Sequence, residues 1–337
     1  MADQAQESEL VDPDDFLLKN SVQNEIKEIL RLDHGFDVYI TMKDGDDPIK
    51  RFLISEKNKG GQGSFKDRIE EEIEKTITLK FLSDDAQYAE GDSVADEQTK
   101  FYVINQDSGY EPFTYLSIPD EQLKTFSATE FDNVDAIFFK FSVYINKNYQ
   151  TLWAYQKIRP NAIPNKRKQN FLMSIASDED DVFEELDIPM LQITHAVDIL
   201  ILNEKIITDN INFMNSHFGF ETFIRASGEK AVDLIENVNL VNNVDKLHEY
   251  VQRPNKRYAK KMMQIHKFPV VSMKKEELLN RIRTTRRWCD KFEIENGGIN
   301  LKTFTDVENL IDLLTERYTK SMMVDDQEYD TQVKNPV

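Results

Sequence analysis

Arginine and lysine crowd one short stretch of an otherwise acidic chain, and the group that their chemistry suits is phosphate. Between Arg253 and Lys291 stand Arg253, Lys256, Arg257, Lys260, Lys261, Lys267, Lys274, Lys275, Arg281, Arg283, Arg286, Arg287 and Lys291, facing only Glu276, Glu277 and Asp290. Thirteen cations against three carboxylates leave +10 over these 39 residues; the whole chain carries −19, so the other 298 of its 337 residues hold −29. Charge separated in this way draws a polyanion, nucleic acid above all, to one surface and repels it elsewhere. Arginine there suits bidentate phosphate contact, and lysine supplies point charge.

Helical periodicity says which of these side chains face outward. Pro254 at a first helical position opens a helix with Tyr258, Met262 and Ile265 on its apolar face and Lys256, Lys260, Gln264 and Lys267 opposite. The next helix, from Met273 to Lys291, sets a core stripe of Leu278, Ile282, Thr285 and Cys289 against Arg283, Arg287 and Lys291, with Arg286 completing the candidate contacts. Lys166, Arg167 and Lys168 form a second basic cluster, with Trp153 and Tyr155 nearby in sequence. The competing readings are a solvated face for the stripes, an exposed interdomain loop for the cluster, and docking against an acidic surface of this chain or of a partner subunit. No zinc-finger spacing or RNP-like strand occurs, and a helix-turn-helix is suggested only by Phe268 to Ser272, so the expected contact is sequence-independent.

Enzyme chemistry has less support, and no catalytic residue, metal ligand or cofactor is expected. The acidic run Ser177 to Glu185 lacks the spaced ligands of a calcium loop. Asp198 and Glu204 lack the Glu-x-Lys that a metal-dependent nuclease pattern would continue with. The loop Gly60-Gly61-Gln62-Gly63-Ser64-Phe65-Lys66 does not keep phosphate-loop spacing. His34, His195, His217, His248 and His266 are dispersed and read as structural, while Cys289 on the apolar stripe reads as a buried small hydrophobe.

The elements that must position the cations belong to an α+β protein of two lobes, which 40% hydrophobic and 10% aromatic content can support. Acidic tails are expected to be disordered at 1–14 and 323–337. Between them lie an N-terminal α+β lobe over 15–165 and a mostly helical C-terminal lobe with a β-hairpin over 166–322. In the first lobe a helix carries Val22, Ile26, Ile29 and Leu30, and a strand alternates through Phe36, Val38, Ile40 and Met42. A strand follows over Arg51 to Ile54, then a helix from Phe65 to about Ile77 and strands near Thr78 to Phe81, Phe101 to Ile104, Asp135 to Ile145 and Thr151 to Ile158, the last two forming a central hairpin. The second lobe has a hairpin, Val197 to Leu202 and Lys205 to Thr208, turning at Asn203-Glu204. Helices follow near Phe218 to Arg225, Glu229 to Asn237, Val244 to Gln252, Pro254 to His266, Met273 to Lys291 and Phe304 to Lys320. No apolar run reaches the roughly 18 to 20 residues of a membrane span, and the polar start with a lone cysteine fits a cytoplasmic product.

Two short apolar strands with a tight polar turn, Val197 to Thr208, then Asn212-Phe213 and the helix start Phe218-Gly219-Phe220-Glu221-Thr222-Phe223-Ile224, resemble the KwaB family, soluble components of Kiwa anti-phage defence systems. The resemblance runs from about Asp135 to Asn300. It implies a bacterial cytoplasmic protein that binds DNA and works with a KwaA-like membrane subunit, which would recruit it to the inner face of the membrane. It supplies no active-site residues. Charge asymmetry adds the expectation of a homodimer. A protein-protein scaffold and a metal-dependent nuclease stand as the other function classes.

Overall fold

In the computed structural model, the described residues are 13–57, 63–91, 100–106, 109–145, 147–159, 173–175, 183–185, 191–268, 273–315, 318–320 and 328–330. Two compact units divide them, with Asn210 ending the first and Ile211 opening the main part of the second.

The first unit is an eight-stranded sheet with helices. Helix α1 (Pro13–Arg31) buries Val22, Ile26 and Ile29, the apolar positions read from its spacing. Strand β1 (Gly35–Met42) pairs antiparallel with β2 (Ile49–Arg51), and helix α2 (Phe65–Phe81) follows. Then come β3 (Gln87–Glu90), β4 (Lys100–Asn105), β5 (Val134–Ile145), β6 (Asn148–Lys157), β7 (Met173–Ile175), β8 (Phe183–Glu185), β9 (Ile199–Leu202) and β10 (Lys205–Thr208). The sheet order is β2-β1-β5-β6-β9-β10-β4-β3, with β3 and β4 the parallel pair. Strands β5 and β6 stand at its centre, as their aromatic and β-branched content predicts. Phe138, Phe139 and Phe141 are fully buried there, and each such ring contributes about 1.5–3 kcal/mol through burial. Among the described residues, strands β7 and β8 pair only with each other.

Several elements differ from the sequence reading. Thr78 to Phe81 is not a strand but the last turn of α2. That helix starts at a Ser64/Asp67 capping box, and Ile73, Ile77 and Phe81, four residues apart, keep one face buried to its end. The strand expected over Arg51 to Ile54 sits earlier, because the turn from β1 sets Tyr39 opposite Arg51 and Thr41 opposite Ile49. The second hairpin joins the large sheet: Leu152 of β6 faces Leu202 of β9, and Ile206 of β10 faces Ile104 of β4. Four consecutive buried residues, Ile199 to Leu202, are what a central strand covered on both sides requires. The compact units part at 210.

At the termini, residues 1–12 lie outside the described set, and α1 already begins at Pro13. Part of the tail expected over 323–337 is ordered as strand: β14 (Glu328–Asp330) pairs with β13 (Tyr318–Lys320). Among the described residues, no helix is long and apolar enough to cross a membrane.

Candidate nucleic-acid interface

The second unit builds its basic region on a helical core. Its helices are α3 (Ile211–Phe218), α4 (Phe220–Asn237), α5 (Asp245–Val251), α6 (Arg257–Met263), α7 (Lys275–Thr284), α8 (Arg286–Cys289) and α9 (Phe304–Leu314); a short hairpin of β11 (Glu293–Glu295) and β12 (Gly298–Asn300) precedes the last. The two helices expected over 218–237 are one, α4, running through Gly228. A Cβ there would stand 3.1 Å from Val251 Cγ1 and 3.2 Å from the Ala259 carbonyl, so this glycine serves close helix approach and not a helix break. Arg225 of α4 pairs with Glu221 at 3.0 Å and donates to the carbonyls of Val251, Arg253 and Pro254, closing the C-terminal end of α5.

Helix α6 starts at Arg257, three residues after Pro254, and gives way to a 3-10 turn over Gln264–Lys267. Its inward face is Ala259, Met262 and Met263, continued by Ile265. Lys260, expected to face solvent, is only 3% exposed and falls on that inward side, so it is withdrawn from the candidate surface. The shift follows from packing: Ala259 meets α4 at Gly228, which rotates Lys260 inward and leaves Tyr258 half-buried. Lys256 is half-buried and Lys267 exposed. Lys261 bonds Glu308 at 3.4 Å, and Glu308 also accepts from the Tyr250 hydroxyl at 3.1 Å. Burial first and Glu308 second push the Tyr250 phenol well above the ordinary range. Arg253 lies flat on this cluster, 3.8 Å from the Tyr258 ring centre and 4.8 Å from that of Phe304.

The long helix expected over Met273 to Lys291 is two. Thr285 is extended, with φ −92° and ψ 117°, and separates α7 from α8. Consecutive β-branched residues weaken the helix here, and the Thr284 hydroxyl bonds back to the Asn280 carbonyl at 2.9 Å. The break changes which residue reaches the core. Leu278, Leu279 and Ile282 are buried as α7's stripe, but beyond Thr285 the core position goes to Trp288, 2% exposed, and Cys289 is exposed. An indole has far more apolar surface to bury than a thiol, so the turn that buries it prevails.

Trp288 organises the cations that follow. Arg287 and Lys291 lie over its ring, 5.2 and 5.0 Å from the ring centre, and Lys291 also donates to Asn309 Oδ1 of α9 at 3.3 Å. Arg283 and Arg286, on either side of the break, are exposed and pair with no carboxylate among the described residues. The same holds for Arg257 and Lys274, whereas Arg281 is held by Glu277 at 2.9 Å. The structure thus brings Arg287 and Lys291 together on one indole and leaves Arg283 and Arg286 exposed on the same pair of helices. Lys166, Arg167, Lys168 and residues 269–272 of the suggested helix-turn-helix lie outside the described residues.

Sequence reasoning missed Trp288 as the seat of this arrangement, because a continuous helical wheel assigns the inward position to Cys289. The Thr284-Thr285 pair before an aromatic residue was the available sign.

A family model described as Kiwa protein KwaB-like matches residues 131–324, from the start of the central hairpin through the helical unit and all the cations above. No curated protein and no solved structure matches the chain.

Proposed function

The chain belongs to the Kiwa protein KwaB-like family, and from that premise we propose that it is a component of anti-phage defence that holds DNA by its phosphate backbone through α7, α8 and Lys291. The observation that carries this reading is the set of exposed arginines without carboxylate partners, Arg283 and Arg286, beside Arg287 and Lys291 on Trp288. Guanidinium groups that no carboxylate neutralises can exchange condensed counterions for phosphate contacts. Arg257, exposed at the start of α6, extends the same chemistry, and Lys256 and Lys267 add positive charge beside it. A contact of this kind reads no base edges, so affinity follows charge and not sequence. The basic cluster at Lys166, Arg167 and Lys168 is proposed to add to it.

Membership in a Kiwa system implies other subunits. We propose a KwaA-like membrane protein as the partner that brings this chain to the inner face of the membrane, and a homodimer as the unit recruited. Fluorescence anisotropy on two duplexes of unrelated sequence tests the DNA reading: equal, saturable binding to both supports it. No binding at moderate salt would instead point to a scaffold whose basic helices dock acidic protein. Cleavage of plasmid DNA with added magnesium or manganese would show a nuclease.

A further inference from the structure

Outside the family match, one histidine meets two glutamates in the first unit. Glu70 and Glu74 stand four residues apart on α2 and share one face of it. His34 comes from the connection between α1 and β1. Its Nε2 is 3.3 Å from Glu70 Oε1 and 2.8 Å from Glu74 Oε1, and the three donor atoms lie within 4.8 Å of one another. We propose that His34, Glu70 and Glu74 bind a divalent transition ion, and that Zn2+ is the ion they hold best.

The histidine is set for this in three ways. Its Nδ1 stands 2.8 Å from the Leu32 carbonyl. A carbonyl only accepts, so Nδ1 donates its proton there, and Nε2 is the ring atom that faces the glutamates, where a metal ion would take the place of a proton. That backbone anchor is the outer contact that metal-bound imidazoles habitually make. The ring also packs edge-on against Phe141, with centroids 5.5 Å apart, and the side chain is 8% exposed, so its direction is fixed before any ion arrives.

Spacing fits as well. Two ligands about 2.1 Å from an ion at a tetrahedral angle lie roughly 3.4 Å apart. The Glu70 oxygen already stands at that separation, and the Glu74 oxygen needs to open by only about 0.6 Å. One imidazole nitrogen with two carboxylate oxygens favours zinc or manganese over magnesium or calcium, which take oxygen alone. His34 and Glu70 also border a cleft of about 400 Å3 lined by Ser64, Lys66 and Asp67, with room for water to complete the coordination. Lys66, which lines the same cleft, is engaged by Glu56 at 3.2 Å. Sequence alone hid the site because His34 is 36 and 40 positions from its partners.

The test is calorimetric titration of the full chain, stripped with chelator, against Zn2+ at pH 7.5, with native mass spectrometry counting bound ions. Saturable binding of a single ion is expected. Glu70→Gln with Glu74→Gln should weaken it by at least about tenfold, and His248→Gln should leave it unchanged. Glu74→Gln alone, which keeps an acceptor for the imidazole, provides the comparison if the double variant does not fold, and should also weaken binding. No bound ion, or equal affinity in the folded glutamine variants, would overturn the proposal and leave His34 as an ion-paired structural residue.

Discussion

Lysines on the sheet and arginines on the basic helices are treated differently by their neighbours. Lys50, Lys140, Lys157 and Lys205 project from β2, β5, β6 and β10, and they end on Glu130, Asp120, Asp135 and Glu25 respectively. Lys140 is further covered by the rings of Tyr39 and Trp153, at 5.6 and 5.1 Å. Arg257, Lys274, Arg283 and Arg286 in the second unit meet no carboxylate among the described residues. A paired charge is cancelled within a few ångströms, whereas an unpaired one reaches an incoming polyanion across about a Debye length, 8–10 Å near physiological salt. The number of cations therefore matters less than the number left unneutralised.

The largest expected effect comes from removing the residue that seats the helical cations. Trp288→Ala empties a buried site and should cost about 3–5 kcal/mol in urea denaturation, with DNA affinity falling as Arg287 and Lys291 lose their platform. Phe139→Ala, at the centre of the sheet and fully buried, should cost a similar amount yet leave the DNA affinity of the folded protein unchanged. A DNA defect in the folded Phe139 variant as large as that in Trp288→Ala would erase the contrast between the units.

Charge reversal separates binding from stability more finely. Arg283→Glu with Arg286→Glu should weaken duplex binding by at least about tenfold, some 1.4 kcal/mol, while stability stays within about 0.5 kcal/mol because both side chains are exposed. The matching change on the sheet, Lys157→Ala, removes a neutralised cation. It should shift DNA affinity by less than about twofold and stability by no more than about 1 kcal/mol. A tenfold loss of binding from Lys157→Ala would show that ion pairing does not silence these lysines.

The smallest effect is in acid. The Lys50 ammonium, and next the Ser127 backbone N–H, hold the Glu130 carboxyl below its usual range. A depressed folded value means that this contribution is present above the unfolded pKa and lost as pH falls through the folded one. Lys50→Met should therefore lower stability by a constant amount above about pH 5, and the gap from the native protein should shrink below about pH 4. Urea denaturation from pH 7 to 3 reads this, and a gap that widens in acid contradicts it.

Much of the sheet was legible because its information is local. The alternation of Phe36, Val38, Ile40 and Met42, and the aromatic runs of β5 and β6, name strands without reference to partners. What the sequence could not show is which strands pair: the hairpin at Ile199–Thr208 was recognised, but its place between β6 and β4 depends on contacts across many residues. The site divides the same way. Charge density picked out the segment that carries the exposed arginines, whereas the outward face was misread twice. A helical wheel fails where a helix starts late, as at Arg257, or stops early, as at Thr285. Lys260 and Cys289 exchanged sides for those reasons.

The salt dependence of duplex binding tests the central claim most directly, measured by anisotropy from about 50 to 200 mM salt on two unrelated sequences. If about four to six phosphates are neutralised by the helical cations, the slope of log affinity against log salt is roughly −4 to −5 for both duplexes. It should become shallower by about 2 in the Arg283→Glu, Arg286→Glu protein. A slope near zero, a strong preference for one sequence, or an unaltered slope in the folded double variant would contradict the account.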